Sequence, residues 1–260
     1  MPDYRVLNAG DTAIVVEFGE SIDRRLSTWV LALARRLNEA RLDGLVETVP
    51  TFRSLLVHYD PLILPTASLA ARIAELMQGL QVTEQGGRLW RLPACYDPSL
   101  GLDLADVAAR TGLSPAQVIE RHSAVTYHVY MLGFLPGQAY MGDVPAELAL
   151  ARRESPRLKI PAGSLAIAGA MTCIFPLETP CGWHLIGRSP IELWARGLRP
   201  RALLAPGDQV GFTPVSLREY EQLAAKAAAG TLQILPVNDV LPVLPVNDIL
   251  PVNAPTGVAA

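Results

Sequence analysis

The chain has 260 residues, 50% of them apolar and 18% charged, with a formal net charge of −3 from 22 basic and 25 acidic side chains. That composition excludes a disordered chain, and it leaves no global positive field to draw in nucleic acid or an anionic membrane. The length fits one large domain or two ordinary ones, enough to bury a core without disulfide or metal staples.

Tyr4–Asn8 and Thr12–Phe18 are short β-type runs joined by the turn residues Ala9-Gly10-Asp11. Ser21 then reads as a helix N-cap. Ile22, Leu26, Trp29, Val30, Leu33 and Leu37 follow at helical steps as far as Arg41, and Gly44 ends the segment. Leu45–Val49 and Ser54–Tyr59 read as two further strands, with Pro50 between them. Pro65–Leu80 predicts a second amphipathic helix, with Leu69, Ile73, Leu76 and Met77 inward. This order implies a small α+β domain over residues 1–86, with helices on one sheet face and Gln85-Gly86-Gly87 as the linker.

A second domain is expected over residues 87–217. It opens with a strand, Leu89–Pro93, and two short helices, Leu102–Arg110 and Ser114–His122. The helix pair has helix-turn-helix spacing, but Gln117, Glu120 and Arg121 are too poor in cations for groove recognition. Beyond it, Gly and Pro punctuate β-type runs at Tyr127–Leu132, Ser164–Ile167, Trp183–Ile186 and Gln209–Phe212. Many short strands between turns predict a mainly-β, closed or nearly closed barrel. Residues 218–260 hold a terminal helix to about Ala229 and then a Pro-rich near-repeat. Its units are Leu235-Pro-Val-Asn-Asp239, Leu244-Pro-Val-Asn-Asp248 and Leu250-Pro-Val-Asn253. Regular prolines forbid helix, so the tail reads as disordered, with a strand-like docking arm as the alternative.

Cys95, Cys173 and Cys181 make an odd count without a signal peptide, which argues for a cytoplasmic chain free of disulfides. His122, His128, Cys173, Cys181 and His184 lack metal-ligand spacing, so no metal site is expected. His58 reads as a satisfied strand histidine. Gly133-Phe134-Leu135-Pro136-Gly137 is a rigid turn that lets backbone approach a neighbour closely. Arg152, Arg153, Arg157 and Lys159 precede a Pro161-Ala162-Gly163-Ser164 turn. Such a loop can direct guanidinium forks and backbone N–H groups at a carboxylate or phosphate. No Gly-Lys-Ser/Thr occurs, so a Walker-type phosphate loop is excluded. Pro180-Cys181-Gly182-Trp183-His184 brings a thiol, an indole and an imidazole close together at a tight turn. A Cys nucleophile with a His base is one reading; a Cys replacing a small turn residue is the preferred one.

Between His122 and Pro190 the motifs become specific. They are His122-Ser123, Gly133-Phe134-x-Pro136-Gly137, Tyr140, Pro156-Arg157, Pro161-Ala162-Gly163-Ser164, Ile167-Ala168-Gly169 and Gly182-Trp183-x-Leu-Ile-Gly187. The series resembles the B subunits of the bacterial ATP-dependent 5-oxoprolinases, a family also called allophanate hydrolase subunit 1. That family includes a Kip-type inhibitor of a sporulation histidine kinase. The resemblance covers residues 4–215 and implies an α+β domain followed by a cyclophilin-like barrel. It implies hydrolysis of 5-oxoproline to glutamate coupled to ATP cleavage, with Mg, in a complex with a cyclophilin-like sister C component and a separate A component. It implies catalytic roles for His122 and Arg157, and substrate binding by Gly133, Pro136, Gly137, Pro161, Ala162, Gly163, Ser164, Gly182 and Trp183. The alternatives are a histidine-kinase inhibitor and a carboxyltransferase-like part of a urea carboxylase or allophanate hydrolase system. No Met-Lys-Met is present, so a biotin would sit on another polypeptide. The chain departs from the family pattern at Gln138 (Phe in the pattern), at Met171-Thr172-Cys173 (Gln-Thr-Gly) and at Cys181 (Gly). A changed substrate or a binding-only member is therefore also among the expectations.

Overall fold

Alternating apolar residues along two central strands set the first sheet. The computed structural model describes residues 1–82, 87–195 and 200–237. Its first part runs β1 (Tyr4–Asn8), β2 (Ala13–Phe18), α1 (Arg24–Ala40), β3 (Leu45–Pro50), β4 (Ser54–Tyr59) and α2 (Thr66–Met77). The strands form an antiparallel sheet in the order β1-β2-β4-β3. Val16 and Val57 from the two central strands share one core with Leu33 and Leu37 of α1 and with Leu69 and Ile73 of α2. The N-cap of α1 is Asp23, not Ser21: Asp23 is extended (φ −145°) and its carboxylate accepts from the Arg25 N–H at 2.7 Å. The helix stops at Ala40, with Arg41 in the left-handed region (φ 44°), before Gly44 is reached. The expected linker residues Gln85 and Gly86 lie outside the described residues. Gly87 already belongs to the second part, its N–H donating to the Gly207 carbonyl at 3.0 Å.

The second part continues with β5 (Leu89–Ala94), α3 (Leu104–Thr111), α4 (Pro115–Ser123), β6 (Thr126–Leu132), β7 (Ala139–Gly142), β8 (Arg157–Ile160), β9 (Ser164–Ala168), β10 (Met171–Ile174), β11 (Thr179–Cys181), β12 (His184–Arg188), β13 (Gln209–Pro214) and α5 (Leu217–Ala228). Seven strands form one curled sheet in the order β12-β9-β10-β7-β6-β13-β5. The β13–β5 pair is parallel and the other pairs are antiparallel. The two outer strands approach each other at one end. Cys95, just beyond β5, exchanges two backbone hydrogen bonds with Arg188 of β12, each 2.8 Å long. The sheet therefore closes at one end of its seam, as the run of short strands predicts. Tyr127, Val129, Met141, Ile167 and Ile186 fill the interior, with Val107 of α3 and Val118 of α4 closing an end. The capping box of α4, Ser114 with Gln117, is fully formed. A two-stranded ribbon, β8 with β11, accompanies the barrel as a separate sheet.

Closure at the seam depends on a missing side chain. A Cβ at Gly187 would stand 2.6 Å from the Cys95 carbonyl oxygen. Gly187→Ala is therefore expected to push the seam apart and to cost about 2 kcal/mol, read as a drop in melting temperature of about 4–8 °C by calorimetry. An unchanged melting temperature would show that the seam yields without cost.

The first part meets the barrel through the start of α1. Arg24 donates to the Asp143 carboxylate at 2.6 Å and to the Thr126 carbonyl at 3.0 Å. The buried Ser27 hydroxyl lies 3.0 Å from His128 Nε2. Phe52, between β3 and β4, sets its ring against Tyr130 and Tyr140 of the barrel. No helix among the described residues is long and apolar enough to cross a membrane.

Candidate functional site

Strand alternation gives the barrel sheet two apolar faces. Met141, Ile174, Ile167 and Ile186 point into the barrel, while their neighbours Cys173, Ala166, Ala168 and Leu185 point to the other side. On that outer face they join Ile160 of β8, Phe175, Cys181 and Trp183, with Leu135, Tyr140 and Met171 packed alongside. Trp183 is the hub. Its ring stands edge-on to Tyr140 (6.0 Å, 70°) and to Phe175 (6.2 Å, 87°). Tyr140 in turn stands edge-on to Phe52 at 5.9 Å. Such edge-to-face geometry matches the ring quadrupoles and fixes the aromatic wall.

The turn Gly133–Gly137 delivers one polar group to this wall. Its ends are tied by Gly133 N–H to the Gln138 carbonyl and by Gln138 N–H to the Leu135 carbonyl, both 3.1 Å. Gly137 has φ +75°, and a Cβ there would lie 2.5 Å from Trp194 Cβ, so only glycine fits. The Gln138 side chain is 1% exposed. Its Nε2 reaches only Cys173 Sγ, at 3.8 Å, and its Oε1 has no partner among the described residues. A buried, unpaired amide oxygen is costly, so it marks either a strained repacking or a ligand contact. Burial pushes the thiols of Cys173 and Cys181 upward. Neither is poised as a thiolate nucleophile. His184 Nε2 lies 2.8 Å from the Ala151 carbonyl, while Cys181 Sγ accepts from the Trp183 N–H and Cys173 Sγ meets Gln138 Nε2, so no Cys–His hydrogen bond forms among the described residues.

The basic loop distributes its cations rather than converging them. Arg157 forks onto Asp103 with two bonds of 2.7 Å, and Arg153 donates to the same carboxylate at 2.7 Å. The Leu185 N–H adds a fourth bond at 2.7 Å. Lys159 pairs with Glu178 at 2.9 Å. Arg152 is left exposed at the rim, its guanidinium 6.0 Å over the Trp183 ring. The Pro161–Ser164 turn also spends its donors internally. Gly163 N–H goes to the Phe175 carbonyl at 2.7 Å, and the Ser164 N–H and hydroxyl both go to the Pro161 carbonyl. Ala162 accepts from Arg188, and a Cβ on Gly163 would strike the Ser189 carbonyl. This turn is a strut that holds Phe175 and, through it, Trp183.

His122 stands on the opposite side of the sheet, fully buried in the barrel core and stacked on Phe212 at 5.0 Å. Its Nδ1 lies 2.8 Å from the Tyr96 hydroxyl and its Nε2 lies 3.0 Å from the Thr172 hydroxyl. Thr172 gives its own proton to the Ala166 carbonyl at 3.1 Å, so His122 donates from Nε2 and accepts at Nδ1. Burial lowers its pKa to about 3, which keeps the ring neutral.

The expected site residues thus divide. Gly133, Pro136 and Gly137 belong to the turn that presents Gln138, and that turn reaches the Trp183 cluster through Leu135. Gly182 adjoins Trp183 itself, and Pro161 to Ser164 reach the cluster through Phe175. His122 lies behind the sheet, and Arg157 is held by Asp103. The sequence departures Gln138, Met171, Cys173 and Cys181 all meet in this one cluster, although up to 43 positions separate them. Asp103 and Phe52 carry no site signal in the sequence, whereas Arg152 is one of the four loop cations that the sequence marks as an anion-binding candidate. An Asp ahead of a helix reads as a cap, which conceals its ion pairs.

Residues 4–204 match the family described as carboxyltransferase domain, subdomain C and D. The chain is 36% identical over 231 residues to the 5-oxoprolinase B subunit of Bacillus subtilis (strain 168), covering 84% of this chain and 95% of that protein. The crystal structure of TTHA0988 superposes with a TM-score of 0.71 at 35% identity over 78% of this chain, which spans only 40% of the TTHA0988 chain. The Kluyveromyces lactis urea amidolyase shares the fold, with a TM-score of 0.76 at 22% identity over 90% of this chain and 16% of that one. With its α+β first part, curled barrel and Trp183 face in place, the chain belongs to the 5-oxoprolinase B subunit family, within the carboxyltransferase domain subdomain C and D proteins.

Proposed function

We propose that this chain is the B subunit of an ATP-dependent 5-oxoprolinase and that the Trp183 face contributes to binding the lactam. The reading rests on the near full-length likeness to a 5-oxoprolinase B subunit. The chemistry of the face supports it. 5-Oxoproline offers a flat ring, a lactam N–H and a carboxylate. Trp183 and Tyr140 supply apolar walls for the ring, and Arg152 supplies a cation for the carboxylate. Gln138 Oε1 supplies an acceptor for the N–H, one that a Phe at this position would lack.

A lactam is a poor electrophile, and phosphorylating its oxygen opens the carbon to water. The described residues of this chain converge no set of free donors into a phosphate cradle: the Gly163 and Ser164 N–H groups and the Arg157 fork are already engaged, and Arg153 is held on Asp103 through one nitrogen. In this reading the ATP site therefore belongs to the partner subunits, expected as a sister C component and an A component, and this chain works by holding and orienting substrate. His122 is a positioning residue that locks Thr172, and hence β10, behind Cys173.

The test is phosphate and glutamate release from ATP and 5-oxoproline, using this chain co-purified with its two partner subunits. Release of both in step is expected. Arg152→Ala is expected to raise KM about tenfold with the melting temperature within about 2 °C, because the side chain is exposed. No turnover from the assembled complex overturns the enzymatic reading. Turnover indifferent to Arg152→Ala removes the carboxylate contact.

A further inference from the structure

Among the described residues the barrel seam closes at one end, and the C-terminal segment reaches the other. Gln209 N–H bonds the Arg88 carbonyl and Val215 N–H bonds the Ala94 carbonyl, so the even-numbered carbonyls near β5 face β13. The odd-numbered residues face the seam. Cys95 uses that side to bond Arg188, and Pro93, which has no N–H to leave unpaired, sits there as edge prolines do. At the far end the Leu89 carbonyl accepts from the Val237 N–H at 2.7 Å. Leu232 and Ile234 pack against the barrel core on the way. The start of the repeat is thus a docked arm, which corrects the disordered-tail expectation for residues 231–237. Residues 238–260, with the remaining repeats, lie outside the described residues.

The features that the edge uses recur together in the sequence. Ile234-Leu235-Pro236-Val237 places a β-branched residue at the core and an N–H at Leu89, with a proline between them. Val240-Leu241-Pro242-Val243, Val243-Leu244-Pro245-Val246 and Ile249-Leu250-Pro251-Val252 repeat that four-residue pattern. The proline stands one residue before the bonding valine and offers no N–H at that position. The missing donor disfavours further strand pairing, so one unit adds to one edge and stops.

We propose that the open end of β5 is a strand-docking groove for this repeated unit. The first unit fills it within the chain, and the later units are ligands for the same groove on another copy of the chain. Strand addition of this kind takes its affinity from main-chain bonds and its selectivity from alternate side chains. Leu244 stands nine positions after Leu235, up to ~30 Å of extended chain, enough to leave the parent barrel. The unit bound in cis has the advantage of effective concentration, so exchange between copies is reversible and concentration-dependent.

The probe is a fluorescent peptide of sequence Ile-Leu-Pro-Val-Asn-Ala, that of residues 249–254. It is expected to bind a chain ending at Gly230 saturably, and to bind a chain ending at Asp239 at least tenfold more weakly. N-methylation of the peptide valine is expected to weaken binding at least tenfold. Should the chain ending at Gly230 melt without cooperativity, the chain ending at Asp239 with Ile234→Ser and Val237→Pro takes its place. Mixing the full chain with the emptied chain is expected to give a complex by light scattering, whereas the chain ending at Asp239 gives none. Equal binding to filled and emptied chains, or none to a folded emptied chain, overturns the groove. Peptide binding without a complex between chains overturns the exchange between copies.

Discussion

Asp103→Ala is expected to lower stability by about 3 kcal/mol, seen as a melting temperature lower by about 6–12 °C. The side chain is almost wholly buried, and its two oxygens accept four bonds of 2.7 Å from Arg153, Arg157 and the Leu185 N–H. Removing the carboxylate strands two half-buried guanidinium groups and a buried N–H at once. Arg157→Ala is expected to cost less, about 1–2 kcal/mol, because Arg153 and the Leu185 N–H stay on the carboxylate. Arg157 therefore acts on stability first, although a guanidinium beside a Pro-Ala-Gly-Ser turn reads in sequence as an anion fork. The effect carries a pH signature. Burial pushes the Asp103 carboxyl upward, but the Arg157 and Leu185 hydrogen bonds and the two guanidinium charges outweigh it and hold it below the usual range. A carboxyl lowered on folding stabilises above its unfolded value of about 4, and that contribution is lost as the pH falls through the folded value. The gap between wild type and Asp103→Asn in urea melts is expected to shrink below about pH 4. His122 and His128, lowered by burial to about 3 and about 4, add a loss in both proteins that begins below about pH 6.5. A gap constant with pH would show that the Asp103 charge contributes nothing.

The elements were legible where local chemistry decides them. Ser54–Tyr59 alternates buried and half-buried residues along its whole length, and the periodicity marks the strand to the residue. Ser114 with Gln117 makes a capping box that fixes the start of α4. Ser21 misled because two residue types equally suited to capping stand two positions apart, and only the extended backbone at Asp23 decides between them. The site was legible as motifs but not as a place. Gln138, Cys173 and Cys181 are far apart in the chain, and they meet only because β10 pairs with β7 on one side and β9 on the other while the β8–β11 ribbon brings Cys181 in. Register of that kind is a long-range property, invisible to any window of neighbouring residues. His122 illustrates the converse. A His-Ser motif at a helix end suggests chemistry, yet burial and two hydroxyl partners make the ring a neutral brace.

Gln138→Phe, the residue that the resemblance implies at this position, is expected to destabilise this chain by about 2–3 kcal/mol, although it removes a buried unpaired oxygen. The reason is volume. Where the resemblance implies Phe with two glycines, this chain has Gln with two cysteines, and the Gln138 amide touches the Cys173 thiol at 3.8 Å. The thiols of Cys173 and Cys181 share one buried cluster with Trp183, so a Phe side chain at position 138 must displace its neighbours there. The three departures are then one compensated exchange, not three separate losses. Adding Cys173→Gly and Cys181→Gly to Gln138→Phe is expected to recover at least about 1 kcal/mol, although each Gly substitution alone empties buried volume and destabilises. A cycle of thermal melts across the single, double and triple variants measures that coupling. Strict additivity would separate the three positions. The same triple variant, assembled with its partner subunits, tests what the exchange did to substrate binding. With the Gln138 acceptor gone and the aromatic wall kept, KM for 5-oxoproline is expected to rise about tenfold while kcat holds, since a uniform binding contact is what the oxygen supplies. An unchanged KM would assign Gln138 to packing alone and leave Arg152 and Trp183 as this chain's contribution to the lactam.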